Sequence, residues 1–354
     1  MKKVNVLILL AFVLVGCVNN KIIDDIDIQA GSAFDELEEG EVIGAILIQN
    51  YLPDKTVENK VLKTKGQLRR DILLNVQKKT SGELSTGGLV ITIFGDKLAD
   101  NGIIDFVDAY QRDASIGARN YLVTSSENAL EILEGNYGPK GTSKYLQDLL
   151  AHNIKYRDIP TTNLHIFLRD YYMEGKDPYL PEIKKISEDE VKVSGISLFK
   201  GDKEVHVLHN DDMFYFKLLA DNHSKGTMKI HLKKGVKSAV RSIKSKRSFN
   251  INKKDRSLID IQIHIKGEVR EYTGGKLTTK IVKKVAKKFE KNIEKESLKL
   301  IKQFQSEGID PLGFGQLHIR QIRGYNFNNW EEDYQNLSFN IEAEVDIVQT
   351  GVIE

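Results

Sequence analysis

The chain has 354 residues, enough for two or three domains at about 150 residues each. Hydrophobic residues make up 40% and charged residues 29%, a globular balance, and 52 basic against 50 acidic side chains leave a net charge of +2. Six prolines and 27 glycines exclude collagen and mucin-like stalks, one cysteine excludes intramolecular disulfides and Cys-rich zinc sites, and a single long apolar run excludes a polytopic membrane protein.

That run comes first. Met1-Lys2-Lys3 is a short positive segment, and 4–15 is apolar except for Asn5. It is too short for a stable bilayer anchor and suits a secretory signal over 1–16. It ends in Leu14-Val15-Gly16-Cys17, which resembles a bacterial lipobox. There the thiol is diacylated and the chain is cut before the cysteine. Two acyl chains hold a protein at a membrane, whereas one does so only marginally. Cys17 is therefore the expected lipidation site, followed by a tether over 17–20. Cleavage removes Lys2 and Lys3 and leaves 50 basic against 50 acidic side chains. That neutrality hides an asymmetry. Residues 229–302 carry 23 Lys and Arg against 7 Asp and Glu, so the rest of the mature chain is equally negative. If clustered in space, such an excess is a footprint for anionic partners.

Further along, 42–49 (VIGAILIQ) reads as a buried strand by its β-branched content. Residues 65–80 read as a helix with Leu68, Ile72, Leu73 and Val76 on one face, and 89–94 as a second strand. Residues 102–110 and 126–135 read as helices, the latter with Ser126 as N-cap and Gly135 as stop. Two more helices are expected over 145–152 and 163–173. The alternation indicates a mixed α/β or α+β unit. Asp177-Pro178-Tyr179-Leu180-Pro181 breaks it and marks a boundary. Residues 191–199 and 204–209 form a hairpin around Lys200-Gly201-Asp202, and a further unit starts near Lys229. In it Ile259, Ile261, Ile263 and Ile265 alternate with polar residues as a half-buried strand. Residues 278–307 are the clearest helix, with Val282, Val285, Phe289, Ile293, Leu300, Ile301 and Phe304 in one stripe and Gly308 and Pro311 ending it. Residues 316–323 and 337–349 read as alternating strands.

Catalytic patterns are absent. There is no HExxH, GxSxG, GxGxxG or Walker motif. The stretch Gly135 to Ser143 superficially matches a phosphate loop, but its lysine precedes the glycine and Pro139 removes a backbone donor, so it reads as a surface loop. His206 and His209 point to opposite faces of a strand and make a poor metal pair. Arg112-Asp113 reads as a helix-end ion pair rather than a catalytic one. Lys283, Lys284, Lys287, Lys288, Lys291, Lys295 and Lys299 lie mainly opposite the apolar stripe of 278–307. They are either a solvated face or a contact for anionic lipid or an acidic partner, with Lys283, Lys287 and Lys291 as the candidate contact residues. Nucleic acid is disfavoured by export and by the lack of an aromatic stacking motif.

Several segments in order resemble the Ger(x)C family, the lipoprotein C subunits of nutrient germinant receptors in spore-forming bacteria. They are Cys17 with Ile23-Asp24-Asp25; the stretch from Ile103 to Arg119 with Asp108, Arg112 and Asp113; and Ala129-Leu130-Glu131-Ile132-Leu133. Leu180-Pro181, Gly195 to Lys200, Asp310-Pro311-Leu312-Gly313-Phe314-Gly315, Trp330, Tyr334 and Thr350-Gly351 complete the series. Gln335 departs from the family's proline, and the segment after Asp25 lacks the usual Gly-rich run. The resemblance implies an α+β protein of three domains, each a mixed or antiparallel sheet flanked by helices. It implies a lipid-anchored place on the outer face of the spore inner membrane, integral-membrane receptor subunits as partners, no cofactor and no enzymatic activity. The expected divisions are a discontinuous first domain of 21–59 plus 181–228, an inserted second of 60–180 and a third of 229–354. A solute-binding lipoprotein serving a transporter and a lipid-anchored hydrolase are the alternatives. The first should show two similar lobes and the second a nucleophile or metal constellation. From the residues alone, Pro311 with Gly313 and Gly315 set a tight turn, and Trp330 and Tyr334 read as core or interface anchors.

Overall fold

The computed structural model describes residues 26–37, 40–54 and 56–348. Cys17, Ile23-Asp24-Asp25 and Thr350-Gly351 lie outside the described residues. The fold is α+β and, among the described residues, holds two sheets flanked by helices.

The larger sheet has nine strands: β1 (Ile26–Glu36), β2 (Val42–Tyr51), β3 (Val57–Gly66), β4 (Glu83–Ser85), β5 (Ile91–Gly95), β6 (Tyr121–Ser125), β7 (Tyr179–Ser187), β8 (Glu190–Lys200) and β9 (Lys203–His209). Their order is β3-β2-β1-β5-β6-β7-β8-β9, with β4 beside the start of β1. The strands β1, β5, β6 and β7 run parallel, and an antiparallel hairpin closes each side. Parallel pairing needs crossovers, and helices supply them. Helices α1 (Arg69–Gln77), α2 (Asp96–Asn101), α3 (Ile104–Gln111) and α6 (Leu164–Tyr172) cover one face around Phe34, Phe94 and Phe106. Helices α4 (Ala129–Glu134) and α5 (Thr142–Tyr156) cover the other around Ile91, Ile93 and Val123. With both faces covered, β5 is buried at all five positions, which is why it carries apolar side chains on both, Ile91 and Ile93 on one and Phe94 on the other.

The divisions expected near 60 and 180 meet this topology directly. Residues 26–59 and 181–209 do share a sheet, but β5 and β6 from 60–180 lie between them in it. Leu180 and Pro181 are buried within β7.

Helix α7 (Asp211–Ala220) leads to the smaller sheet: β10 (Gly226–Lys233), β11 (Val236–Ile251), β12 (Leu258–Tyr272) and β13 (Ser338–Ile347), in that order. The first two pairings are antiparallel; β12 and β13 are parallel, joined through α8 (Thr279–Glu307), α9 (Phe314–Gln321) and α10 (Trp330–Asn336). Ile259, Ile261, Ile263 and Ile265 turn their common face to Val285, Phe289 and Ile293 of α8. Tyr179, Ile196, Leu198 and Leu208 from the larger sheet join the same cluster, so the two layers share a core.

Three local readings need correction. Residues 316–323 are not a strand but mostly helix α9, because the Asp310 carboxylate accepts N–H groups at the helix start, at Gly313 (2.8 Å) and Gly315 (2.7 Å). The helix expected over 65–80 is shorter, Arg69–Gln77, with Leu68 exposed; the residues before it form β3, whose outward lysines mask the strand pattern. Ser126 is not the cap of α4. Asn128 is, and Asp35 at the end of β1 accepts from the N–H groups of Ala129 and Leu130, both at 2.9 Å. Thr278 caps α8 and Gly308 ends it at φ +67° in the left-handed region, as the sequence indicates.

The outer edge of β13 is closed from the side. Glu294 accepts the N–H of Ala343 at 3.2 Å, and Glu290 accepts that of Val345 at 3.1 Å. Both glutamates come from α8, so the helix satisfies the edge it packs beside. The Glu290→Ala/Glu294→Ala double variant is expected to lose about 1–3 kcal/mol of stability by urea denaturation, the cost of leaving such donors unpaired. Wild-type stability in that variant would show that water serves these donors equally well.

Candidate functional site

Helix α8 carries the candidate contact residues. Lys283, Lys284, Lys287, Lys288, Lys291, Lys295 and Lys299 are all exposed, while Val285, Phe289, Ile293, Leu300, Ile301 and Phe304 are buried. The segregation follows from the 3.6-residue period, which stacks positions four apart on one side. Lys283, Lys287, Lys291, Lys295 and Lys299 thus form a row about 24 Å long, given a rise of about 1.5 Å per residue. Within it Lys295 pairs with Glu296 at 2.9 Å. The remaining basic excess lies elsewhere. Lys244 and Lys246 of β11 and Lys266 of β12 stand on the sheet face turned away from α8. There the acidic strand β13 adjoins them, with Glu344 bonded to His264 at 2.8 Å.

A second cluster joins the two sheets. The loop before β7 and the turn after α8 meet through two Asp-Pro pairs, Asp177-Pro178 and Asp310-Pro311. Asp177 donates its N–H to the Asp310 carbonyl at 3.0 Å, and Asp310 returns its N–H to Asp177 Oδ2 at 2.7 Å. Asp177 Oδ1 also accepts from Gly201 N–H at 3.2 Å, in the β8–β9 turn. The backbones touch: a Cβ on Gly175 would lie 2.6 Å from Gly315 C and Gln316 N, and one on Gly315 equally close to Gly175 Cα. Gly313 sits at φ +78°. Asp310, Gly313 and Gly315 thus each have a structural reason in this turn. Burial pushes the Asp310 carboxyl up to about 7 against the pull of the backbone N–H groups of Gly315, Phe314 and Gly313, and it raises Asp177 too.

The aromatic residues brace this joint. Trp330 stacks on Tyr334 at 5.0 Å and on Phe327 at 6.0 Å, and the Tyr334 hydroxyl donates to the Ile309 carbonyl at 2.8 Å. Trp330 and Tyr334 are both buried. Gln335 donates to the Gln305 carbonyl, and Gln305 returns the bond to Tyr334 O at 2.6 Å. A cavity of about 450 Å³ opens beside them, with Lys176, Asp177 and Lys200 in its wall. Sequence reasoning took Asp177 only as part of a boundary and did not single out Gly175. The available signal was the recurrence of Asp-Pro, which accounts for two of the chain's six prolines.

The other sequence features separate in space. His206 contacts Gln303 (2.9 Å) and Glu307 (3.3 Å), whereas His209 bonds the Ser194 carbonyl at 3.0 Å. Arg112 pairs with Asp108 at 2.6 Å, and Asp113 with Arg69 at 3.3 Å, so Arg112 and Asp113 do not form a pair. In the loop from Gly135, Thr142 bonds the Gly135 carbonyl at 2.5 Å and Ser143 bonds Gln49 at 2.7 Å. No group of three His, Cys, Asp or Glu side chains suited to a metal occurs among the described residues.

Two family models match the chain: the spore germination protein N-terminal domain over 19–185, and the spore germination B3/GerAC-like C-terminal domain over 194–351. The spore germination protein GerQC of Bacillus cereus is 32% identical over 360 residues, covering all of both chains. The crystal structure of the GerBC protein superposes with a TM-score of 0.58 over 90% of this chain and 97% of that one, at 18% identity, and shares its fold. Asp177 falls in the first matched region and Asp310 in the second, so the joint ties one to the other.

The raised carboxyls give the joint a pH dependence. A folded-state value above the unfolded one means that the fold holds the proton more tightly. The stability from Asp310 is then full below its unfolded value of 3.8 and lost as pH rises through about 7. Asp310→Asn is expected to cost about 1–3 kcal/mol, since one backbone donor loses its acceptor. In urea melts the gap between wild type and variant should narrow from pH 5 to pH 8. An equal gap at both would mean that Asp310 does not titrate there.

Proposed function

Because the chain belongs to the Ger(x)C family of spore germination proteins, the C subunits of germinant receptors, we propose that it is a lipid-anchored receptor subunit. In this reading Cys17 carries the anchor and holds the protein on the outer face of the spore inner membrane. The protein acts there by assembling with integral-membrane receptor subunits, without turning over a substrate. The observation that carries the reading is the Leu14-Val15-Gly16-Cys17 box behind a basic, apolar leader, in a chain of this family. No described helix is long and apolar enough to cross a membrane, so among the described residues nothing else would hold the chain there by spanning. A solute binder built from two like lobes is less consistent with sheets of nine and four strands that differ in direction and order.

The unit beginning near 229 is the part we assign to partner contact. Its lysine row presents like charge without intervening apolar surface, an arrangement that steers encounter and orientation more than it sets affinity. An acidic patch on a neighbouring subunit is the complement it calls for.

Two experiments test these points. Cys17→Ala should move the protein from the membrane to the soluble fraction and impair nutrient-triggered germination. Retention with unchanged processing would refute lipidation at Cys17. Reversal of Lys283, Lys287 and Lys291 to Glu should reduce co-purification with the membrane subunits at an unchanged melting temperature. Normal assembly and normal germination would leave the row as solvated surface.

A further inference from the structure

A groove of about 600 Å³ runs between α1 and the end of α3. Its wall includes Arg69, a residue only 7% exposed, whose guanidinium lies 4.4 Å above the Tyr110 ring. Two of its nitrogens have partners, Asp113 at 3.3 Å and the Ala109 carbonyl at 3.5 Å. The third, Nε, is buried and has none. A buried donor without a partner costs stability comparable to a lost hydrogen bond, and a water or an entering acceptor that reached it would relieve that cost. Arg70 and Arg112 stand exposed on the rim, Arg112 with its Nε on Asp108 at 2.6 Å; the Arg69-bound Asp113 also lines the groove, and Leu73, Leu74 and Leu84 give it an apolar side. Leu74 is half exposed. Arginine side chains beside an exposed leucine suit a ligand that is anionic at one end and apolar at the other.

The groove also has a defined place. Leu84 in its wall pairs with Asp27 of β1, so it lies beside the point where the described chain begins. Cys17 stands nine residues before Ile26, and nine residues span at most about 30 Å. A lipid on Cys17 would hold this end of the larger sheet close to the bilayer. We propose that the groove binds the phosphate headgroup of an anionic phospholipid in that bilayer, with Arg69 as its floor and Arg70 and Arg112 as its rim. The placement rests on the anchor reading above; the recognition chemistry does not. Headgroup capture would fix the orientation of the protein on the membrane, which a flexible tether alone does not.

The test uses the mature chain from Cys17, made without acyl groups, so that its result is independent of whether Cys17 is lipidated in the cell. Co-sedimentation should be stronger with phosphatidylcholine vesicles containing phosphatidylglycerol than with phosphatidylcholine alone. Each basic group near such a surface contributes about five-fold, so Arg70→Glu/Arg112→Glu should weaken binding by about 25-fold or more. Arg69→Lys keeps the charge but loses the fork; it should weaken binding at an unchanged melting temperature. If it fails to fold, the rim variant decides alone. Equal binding to both vesicles would overturn the proposal. So would loss of binding in the Lys283, Lys287 and Lys291 reversal with none in the rim variant. Stabilisation by glycerol phosphate in solution without vesicle binding would assign the groove to a soluble phosphate instead and refute the membrane role.

Discussion

The two halves of this protein are held together by a backbone contact that only glycine permits. Gly175 and Gly315 approach so closely that a methyl group on either would strike the other's main chain. The reciprocal bonds of Asp177 and Asp310 hold them there. Much else follows. The Asp310 carboxylate starts α9, the left-handed Gly313 precedes it, and the stacked Trp330 and Tyr334 pack over the same turn. Beside this joint, Tyr179, Ile196 and Leu198 on one side and Phe304 on the other share one core. Such precision is felt on substitution, since close-packed interiors do not relax freely.

Elements with strong local periodicity were legible in the sequence. The apolar stripe of α8 and the alternating isoleucines of β12 stand as read, because each buries one clean face. The strand β3 was not legible. It is a sheet edge, its alternation is Glu58, Lys60, Lys63 and Lys65 rather than apolar against polar, and it runs up to the helix that follows. The helix α9 was misread because Leu317 and Ile319 alternate with the polar His318 and Arg320 by chance, and the deciding group, Asp310, lies outside the segment. The lysine face was legible as a face. Its role was not, since exposure and charge do not name a partner. The groove beside α1 was invisible for another reason: Arg69, Leu84 and Arg112 are distant in sequence and meet only in the folded chain.

Charge is distributed with more order than its near-zero sum suggests. The basic excess of 229–302 divides between two opposite surfaces of the smaller sheet layer, the row on α8 and the outer face of β11 and β12. Between them two glutamates of the same helix turn inward to the edge of β13. Glu290 and Glu294 are thus engaged in structure, while the lysines of α8 and the acidic side chains of β13 remain outside.

The position of β1 has a mechanical consequence. The first described strand lies inside the larger sheet, antiparallel to β2 along most of its length and parallel to β5 over residues 31–34. A pull on its leading end is directed along the strand, so the ladders on both flanks resist together in shear. An edge strand pulled outward would instead unzip one bond after another. Were the chain anchored at Cys17 as proposed, tension arriving at Ile26 would be shared by the interior of the sheet.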